Sequence, residues 1–338
     1  MSSTPASSSP AGVANPFKSD VPADLSYFPL PDWKVFEITG PDAEHFLQSR
    51  LSNDVTALQV GQSQLNAALT RQGKIQGVFS LLKTAEDTYW LLAPADEATR
   101  AIEGIHQFHI LESFTTRECP HQCLFLQGTN GLEKGFTLWN QPPANDGQVM
   151  LPHTHFETRL HEHPVRILNR SLSLAEGYIL MAASGNDLER RLQETIGPPL
   201  SRAAFEAGRV EAGIPRYGQD YSDQTLLPET GLEHQTVSYD KGCYLGQEVV
   251  ARVRTYGALQ KKLIGLVFGG ATCPPVDIPC LVHGEPIGHL SSVVFSSRFH
   301  APIALAWLNK DWQIPGRTLT IDIGGQSYEA RISALPFN

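Results

Sequence analysis

The chain has 338 residues, 41% of them hydrophobic and 18% charged, a composition that suits a globular protein of two or three domains. Its 26 basic and 35 acidic residues leave a net charge of −9, which argues against a broad nucleic-acid-binding face. No apolar run reaches the ~20 residues of a membrane span, and five cysteines (Cys119, Cys123, Cys243, Cys273 and Cys280) form an odd, sparse set that points to reduced thiols in the cytoplasm.

The start of the chain, "MSSTPASSSPAGVANPFKSDVP", has no apolar h-region and no arginine, so it reads neither as a signal peptide nor as a transit peptide. Its Ser, Pro and Ala content predicts a disordered tail over residues 1–26. "WKVFEIT" (Trp33–Thr39) then has strand character, and Gly40-Pro41-Asp42 opens a helix carrying Phe46, Leu47, Arg50 and Leu51 on a helical period. "QLNAALT" and "IQGVFSLLK" read as strands around a Gln72-Gly73 turn, "TYWLLA" as a third strand, and Ala95 to His109 as a helix after Pro94. Between Cys119 and Leu200 the strands "QCLFLQG", "PVRILN" and "GYILMAA" precede a helix within Gly185–Gly197, and a short helix is expected over Leu200–Ala207. Strands and helices without strict alternation predict an α+β class for residues 27–257. From residue 258 to 338, short β-rich runs punctuated by Gly, Pro and Asp predict a small antiparallel β-barrel.

Three segments carry chemistry. In "DKGCYLGQEVVARVR" Cys243 lies two residues after Lys241, so on extended chain the ammonium and thiol share a face and the lysine favours thiolate. A buried structural cysteine at a turn is the alternative. Between Lys241 and Lys262, five basic residues (Lys241, Arg252, Arg254, Lys261, Lys262) stand against one acid, Glu248, a local charge of +4 that suits a small polyanion or a solvated basic face. In "GRVEAGIPRYGQD", Arg209 and Glu211 alternate as on a strand and offer a fork donor and an acceptor to a planar heterocycle, or else form a surface pair of little energetic weight. The histidines of "PHTHFETRLHEHP" pair at two-residue spacing, but no cysteine joins them and the segment reads as an irregular connection, so no metal site is expected.

The signature "KGCYLGQEVVARV" closely resembles that of the YgfZ-type folate-binding proteins, relatives of the glycine-cleavage T-protein aminomethyltransferase. "RVEAGIPRYGQD", "LLPETGLE", "ITGPDAEHFLQSRLSNDV" and "ALTRQGK" resemble further segments of that family, over roughly Phe36 to Leu266. The resemblance implies a three-domain cloverleaf around a central folate hole, with two interleaved domains in residues 27–257 and the barrel after them. It implies tetrahydrofolate, or a one-carbon derivative, as cofactor. It also implies a role in assembling or repairing iron–sulfur clusters in client enzymes, tRNA-modifying ones included, with no membrane partner and no direct nucleic-acid contact. Cys243 takes the place of the family's functional thiol, with Lys241 tuning it. Arg209, Glu211, Tyr217, Gln247, Glu248, Arg252 and Arg254 are the candidate folate contacts, the last two for the glutamate tail.

The chain also departs from the aminomethyltransferases. Gly77 and Val78 stand where those enzymes carry an acid, and Ala175, followed by Glu176, stands where they carry a pterin-reading glutamate. A carboxylate for proton transfer is therefore expected to be missing, which favours an accessory role over a folate-dependent one-carbon transferase. A ligand-free scaffold is the remaining rival.

Overall fold

A computed structural model describes residues 25–128, 151–160, 163–257 and 259–337. The predicted histidine connection therefore lacks His161 and Glu162, and most of the N-terminal tail lies outside the described residues.

Strand β1 (Ser26–Pro29) comes first among the described residues but does not join the sheet that follows it. That sheet contains β2 (Trp33–Thr39), β3 (Ser63–Leu69), β4 (Ile75–Ala85), β5 (Thr88–Pro94) and β6 (Thr115–Cys119), in the antiparallel order β3-β4-β5-β2-β6. Helices α1 (Ala43–Arg50) and α2 (Ala95–His106) cover one face. Phe46, Leu47, Ala98, Ala101 and Ile105 pack there against Ile38, Phe79, Leu81 and Leu91. Each large apolar side chain buried in this way contributes about 1.5–3 kcal/mol.

The second sheet takes β1 together with β7 (His121–Gln127), β8 (His155–Leu160), β9 (His163–Asn169) and β10 (Gly177–Ala183), in the order β1-β7-β10-β9-β8. Tyr27 pairs with Leu126 in this sheet, and α3 (Leu188–Ile196) packs over both through Leu188 and Leu192. The histidine-rich segment is not an irregular connection: it contributes β8 and β9, with His155 opposite Leu168. His155 is buried, its Nε2 is 3.1 Å from the Lys83 carbonyl oxygen, and its Nδ1 is 3.1 Å from Arg166 Nη1. Burial and the neighbouring guanidinium pull its pKa down to about 4.

Helix α4 (Arg202–Glu211) overturns the strand reading of Arg209 and Glu211. Ser201 caps it, its hydroxyl accepting from the Ala204 amide at 3.2 Å. Residues two apart on a helix point in different directions, so Arg209 and Glu211 cannot act as a fork-and-acceptor pair. Two single-turn helices follow, α5 (Leu227–Thr230) and α6 (Glu233–Thr236), and then α7 (Gln247–Tyr256). The last strands, β11 (Lys261–Phe268), β12 (Pro279–Val282), β13 (Glu285–Ser296), β14 (Ala301–Asn309), β15 (Thr318–Ile323) and β16 (Gln326–Ser333), close into an antiparallel barrel in the order β11-β14-β13-β12-β15-β16. Leu266, Leu290, Ala306, Ile321 and Ile332 fill its interior. The expected α+β class and C-terminal antiparallel barrel are both observed. Beyond the barrel strands the chain returns to α4, where the Phe337 amide donates to the Glu211 carbonyl at 3.0 Å.

Candidate functional site

A cavity of about 380 Å³ lies among the two sheets, α4 and the loop after it. That volume falls in the range of small-molecule sites, ~300–1,000 Å³. Trp33, Leu65, Val78, Leu172 and Phe205 give it apolar walls. Glu97, Arg170, Arg209, Arg216 and Tyr221 are among its polar groups, with His153, Asn169, Ser171 and Gln235.

Glu97 reaches the cavity from the first turn of α2. Its Oε1 accepts from the Val78 amide at 3.1 Å and from the Tyr221 hydroxyl. Burial drives the carboxyl up to about 7, although both hydrogen bonds and the nearby Arg170 pull the other way. Burial and the Glu97 carboxyl likewise raise Tyr221. The Arg170 guanidinium donates to Ser80 Oγ at 2.6 Å and lies 5.6 Å from the Trp33 ring centroid, and burial lowers it to about 10. The expectation of a missing carboxylate is thus corrected: β4 carries none, but α2 supplies one at the Val78 amide. Gly77 is the reason that this is possible. A Cβ there would meet the Glu97 carbonyl oxygen at 2.5 Å and Ala101 Cβ at 3.1 Å, so helix and strand come this close only over a glycine. Glu176, the other sequence candidate, is exposed and bonded to its own neighbour, the Tyr178 hydroxyl.

Arg209 lines the cavity and also ties it to the barrel. Its Nη1 donates to Asp220 Oδ2 at 2.8 Å and to the Ile214 carbonyl at 2.6 Å, its Nη2 to Ser292 Oγ at 2.9 Å, and its Nε to Glu206 Oε2 at 3.0 Å. Asp220 Oδ1 accepts from Ser291 and Ser292 at 2.7 and 2.6 Å. Such a buried charge is tolerated because all three guanidinium nitrogens of Arg209 donate to oxygen and Asp220 balances its charge. Glu211 faces the barrel, accepting from Ser296 Oγ at 2.5 Å. Tyr217 lines an adjoining pocket of about 350 Å³ that shares Trp33, Glu97, Phe205 and Arg216 with the cavity.

The signature segment lies elsewhere. Lys241 is buried and caps the end of α1: Nζ donates to the carbonyl oxygens of Gln48, Leu51 and Asn53 at 2.7, 2.7 and 2.8 Å. These are the groups a helix C-terminus leaves open, and they attract a cation. Burial lowers the ammonium to about 8. All three of its protons point at backbone oxygen, while Cys243 is exposed. Gly246 has φ +84° at the start of α7, and a Cβ there would sit 2.6 Å from the Thr70 carbonyl oxygen. Gly73, in the facing turn with φ +73°, approaches Val249 in the same way. The two glycines let α7 seat directly on the β3–β4 turn. Gln247, Glu248, Arg252 and Arg254 follow on α7 and do not line the cavity.

Residues 26–241 match the GCVT N-terminal domain, and residues 261–338 match the glycine cleavage T-protein C-terminal barrel domain. The chain belongs to the glycine-cleavage T-protein family. Within that family it is 24% identical over 335 residues to an aminomethyltransferase of Picosynechococcus sp., covering 94% of this chain and 87% of that protein. It is 27% identical over 259 residues to the tRNA-modifying protein YgfZ of Cronobacter sakazakii, covering 74% and 73%. The crystal structure of glycine cleavage system aminomethyltransferase T from Bartonella henselae superposes with a TM-score of 0.83 at 20% identity, over 95% of this chain and 89% of that one. The T-protein fold is therefore shared across its full architecture, barrel included.

Proposed function

We propose that this T-protein relative binds a reduced folate in the Glu97 cavity and acts in the cytoplasm as an accessory protein for iron–sulfur enzymes. One observation carries the folate reading: a cavity with apolar walls brings together a carboxylate, a phenol and Arg170, an arginine outside the Arg209 network that also holds Arg216 through Glu206. The residues fit the group. Glu97 presents an acceptor to the N–H edge of a pterin, Trp33 and Phe205 supply aromatic wall to a planar ring, and Arg170 suits a carboxylate. The accessory reading is supported by the exposed Cys243, placed on the signature segment and outside the cavity wall, where a protein partner can reach it. Lys241 holds the loop that presents it. All five cysteines are free thiols, in keeping with a reducing compartment.

Titration calorimetry with tetrahydrofolate tests the cavity. Saturable binding is expected, and Glu97→Gln should weaken it roughly tenfold or more, the equivalent of one buried hydrogen bond. Absence of heat up to millimolar ligand sinks the reading. For the accessory role, a deletion strain complemented with Cys243→Ala or Cys243→Ser should remain deficient in iron–sulfur enzyme activities; full rescue by both makes the thiol structural.

A second reading, folate-dependent one-carbon transfer, is favoured by Glu97 itself, a cavity carboxyl raised to about 7 and so matched to proton transfer near neutral pH. Turnover that disappears in Glu97→Gln at saturating folate would select this reading over the accessory one.

A further inference from the structure

Of the five basic residues between Lys241 and Lys262, the structure buries Lys241 beneath α1 and half-buries Lys262. Arg252, Arg254 and Lys261 remain exposed, and among the described residues no carboxylate lies within ion-pair range of them. Helix α7 ends on Tyr256, which is 77% exposed. Beside it lies a pocket of about 350 Å³ with walls from Tyr239, Tyr244, Gln247 and Arg254. The Arg254 guanidinium is 3.9 Å from the Tyr239 ring centroid, which holds its planar fork against an aromatic face. This pocket shares no lining residue with the Glu97 cavity.

We infer that the outer face of α7 and the Tyr239–Arg254 pocket form a docking surface for an acidic segment of a partner protein. The pocket suits one carboxylate side chain, which would meet Arg254 and the Ser238 hydroxyl. Exposed Tyr256, at the end of α7, supplies amphipathic contact area. Exposed Arg and Tyr around a pocket are the composition of an interaction hot spot. Charge complementarity chooses the occupant. Arg252, Arg254 and Lys261 stay exposed within one short stretch of a chain of net charge −9, so an acidic protein is drawn to this stretch and repelled by the rest. A duplex nucleic acid needs a longer basic stripe. This inference rests on the pocket and its charges, and it stands or falls independently of the folate reading.

Fluorescence anisotropy of a labelled peptide of alternating glutamate and glycine tests it, with the glutamine counterpart as control and an RNA hairpin as competitor. The expected result is binding of the glutamate peptide alone. The joint substitution Arg252→Glu and Arg254→Glu should weaken it about tenfold or more, with an unchanged circular dichroism spectrum. Tyr256→Ala, which alters no charge, should weaken it as well. Equal binding by the charge-reversed protein, no binding at millimolar peptide, or displacement of the peptide by RNA at lower concentration would each overturn the proposal, the last by showing a phosphate-reading face.

Discussion

Substituting Glu97 by glutamine should make this protein more stable at alkaline pH and leave it nearly unchanged in acid. The carboxyl is raised from an ordinary 4.5 to about 7 in the folded state, mainly by burial. Below pH ~4.5 it is protonated both folded and unfolded, and its favourable contribution is fully present. As pH rises through about 7 the folded protein must ionise a buried group, and that contribution is lost. The interval from 4.5 to about 7, at ~1.36 kcal/mol per pH unit, amounts to about 3 kcal/mol. In Glu97→Gln the side-chain amide would keep the oxygen that accepts from Val78 and Tyr221 but carry no charge at any pH. Urea denaturation of both proteins from pH ~4.5 to ~8.5 should therefore show their stability difference growing by about 3 kcal/mol in favour of the variant, most of it between pH ~5 and ~8. A difference that stays constant with pH would refute the argument, because Glu97 would then be ionised in the cavity at no cost.

Arg209→Ala would leave Asp220 buried without its cation, and denaturant midpoints should record a loss of about 3–5 kcal/mol. Lys241→Met would orphan the carbonyls of Gln48, Leu51 and Asn53, and the expected cost of about 2–3 kcal/mol should appear as a lowered unfolding midpoint. Gly246→Ala would force a left-handed residue and a contact with Thr70, so calorimetry should show a melting temperature lower by the equivalent of at least ~1–2 kcal/mol.

Local pattern makes much of the fold legible. "WKVFEIT" occupies the strand it predicts, Trp33–Thr39, because alternation reports one buried face and one exposed one. The barrel strands announce themselves through Gly and Pro punctuation. Arg209 and Glu211 mislead because two charged residues around one valine look like alternation. The longer window, with Ser201 as cap and Phe205, Arg209 and Ala212 at helical spacing, carries the helix signal. Glu97 is invisible in the sequence as a cavity group, since an acid in a helix's first turn already has a sufficient explanation in the helix dipole. Only the approach of α2 to β4 over Gly77 brings its carboxyl to Val78, and that is a tertiary fact. Lys241 shows the same limit. Its two-residue spacing from Cys243 suggests a chemical partnership, whereas its ammonium bonds to residues some 190 positions earlier.

That sequence separation orders events during synthesis. Helix α1 leaves the ribosome before the signature loop, and its sheet can be completed by residue 119. The ammonium that closes the helix is 190 positions beyond Leu51, which at ~5–20 residues per second means a delay of about 10–40 s. Through that interval the Gln48, Leu51 and Asn53 carbonyls lack that cation. The signature loop therefore arrives as a latch on a domain already built, and a nascent chain that stops short of it leaves that domain unlatched.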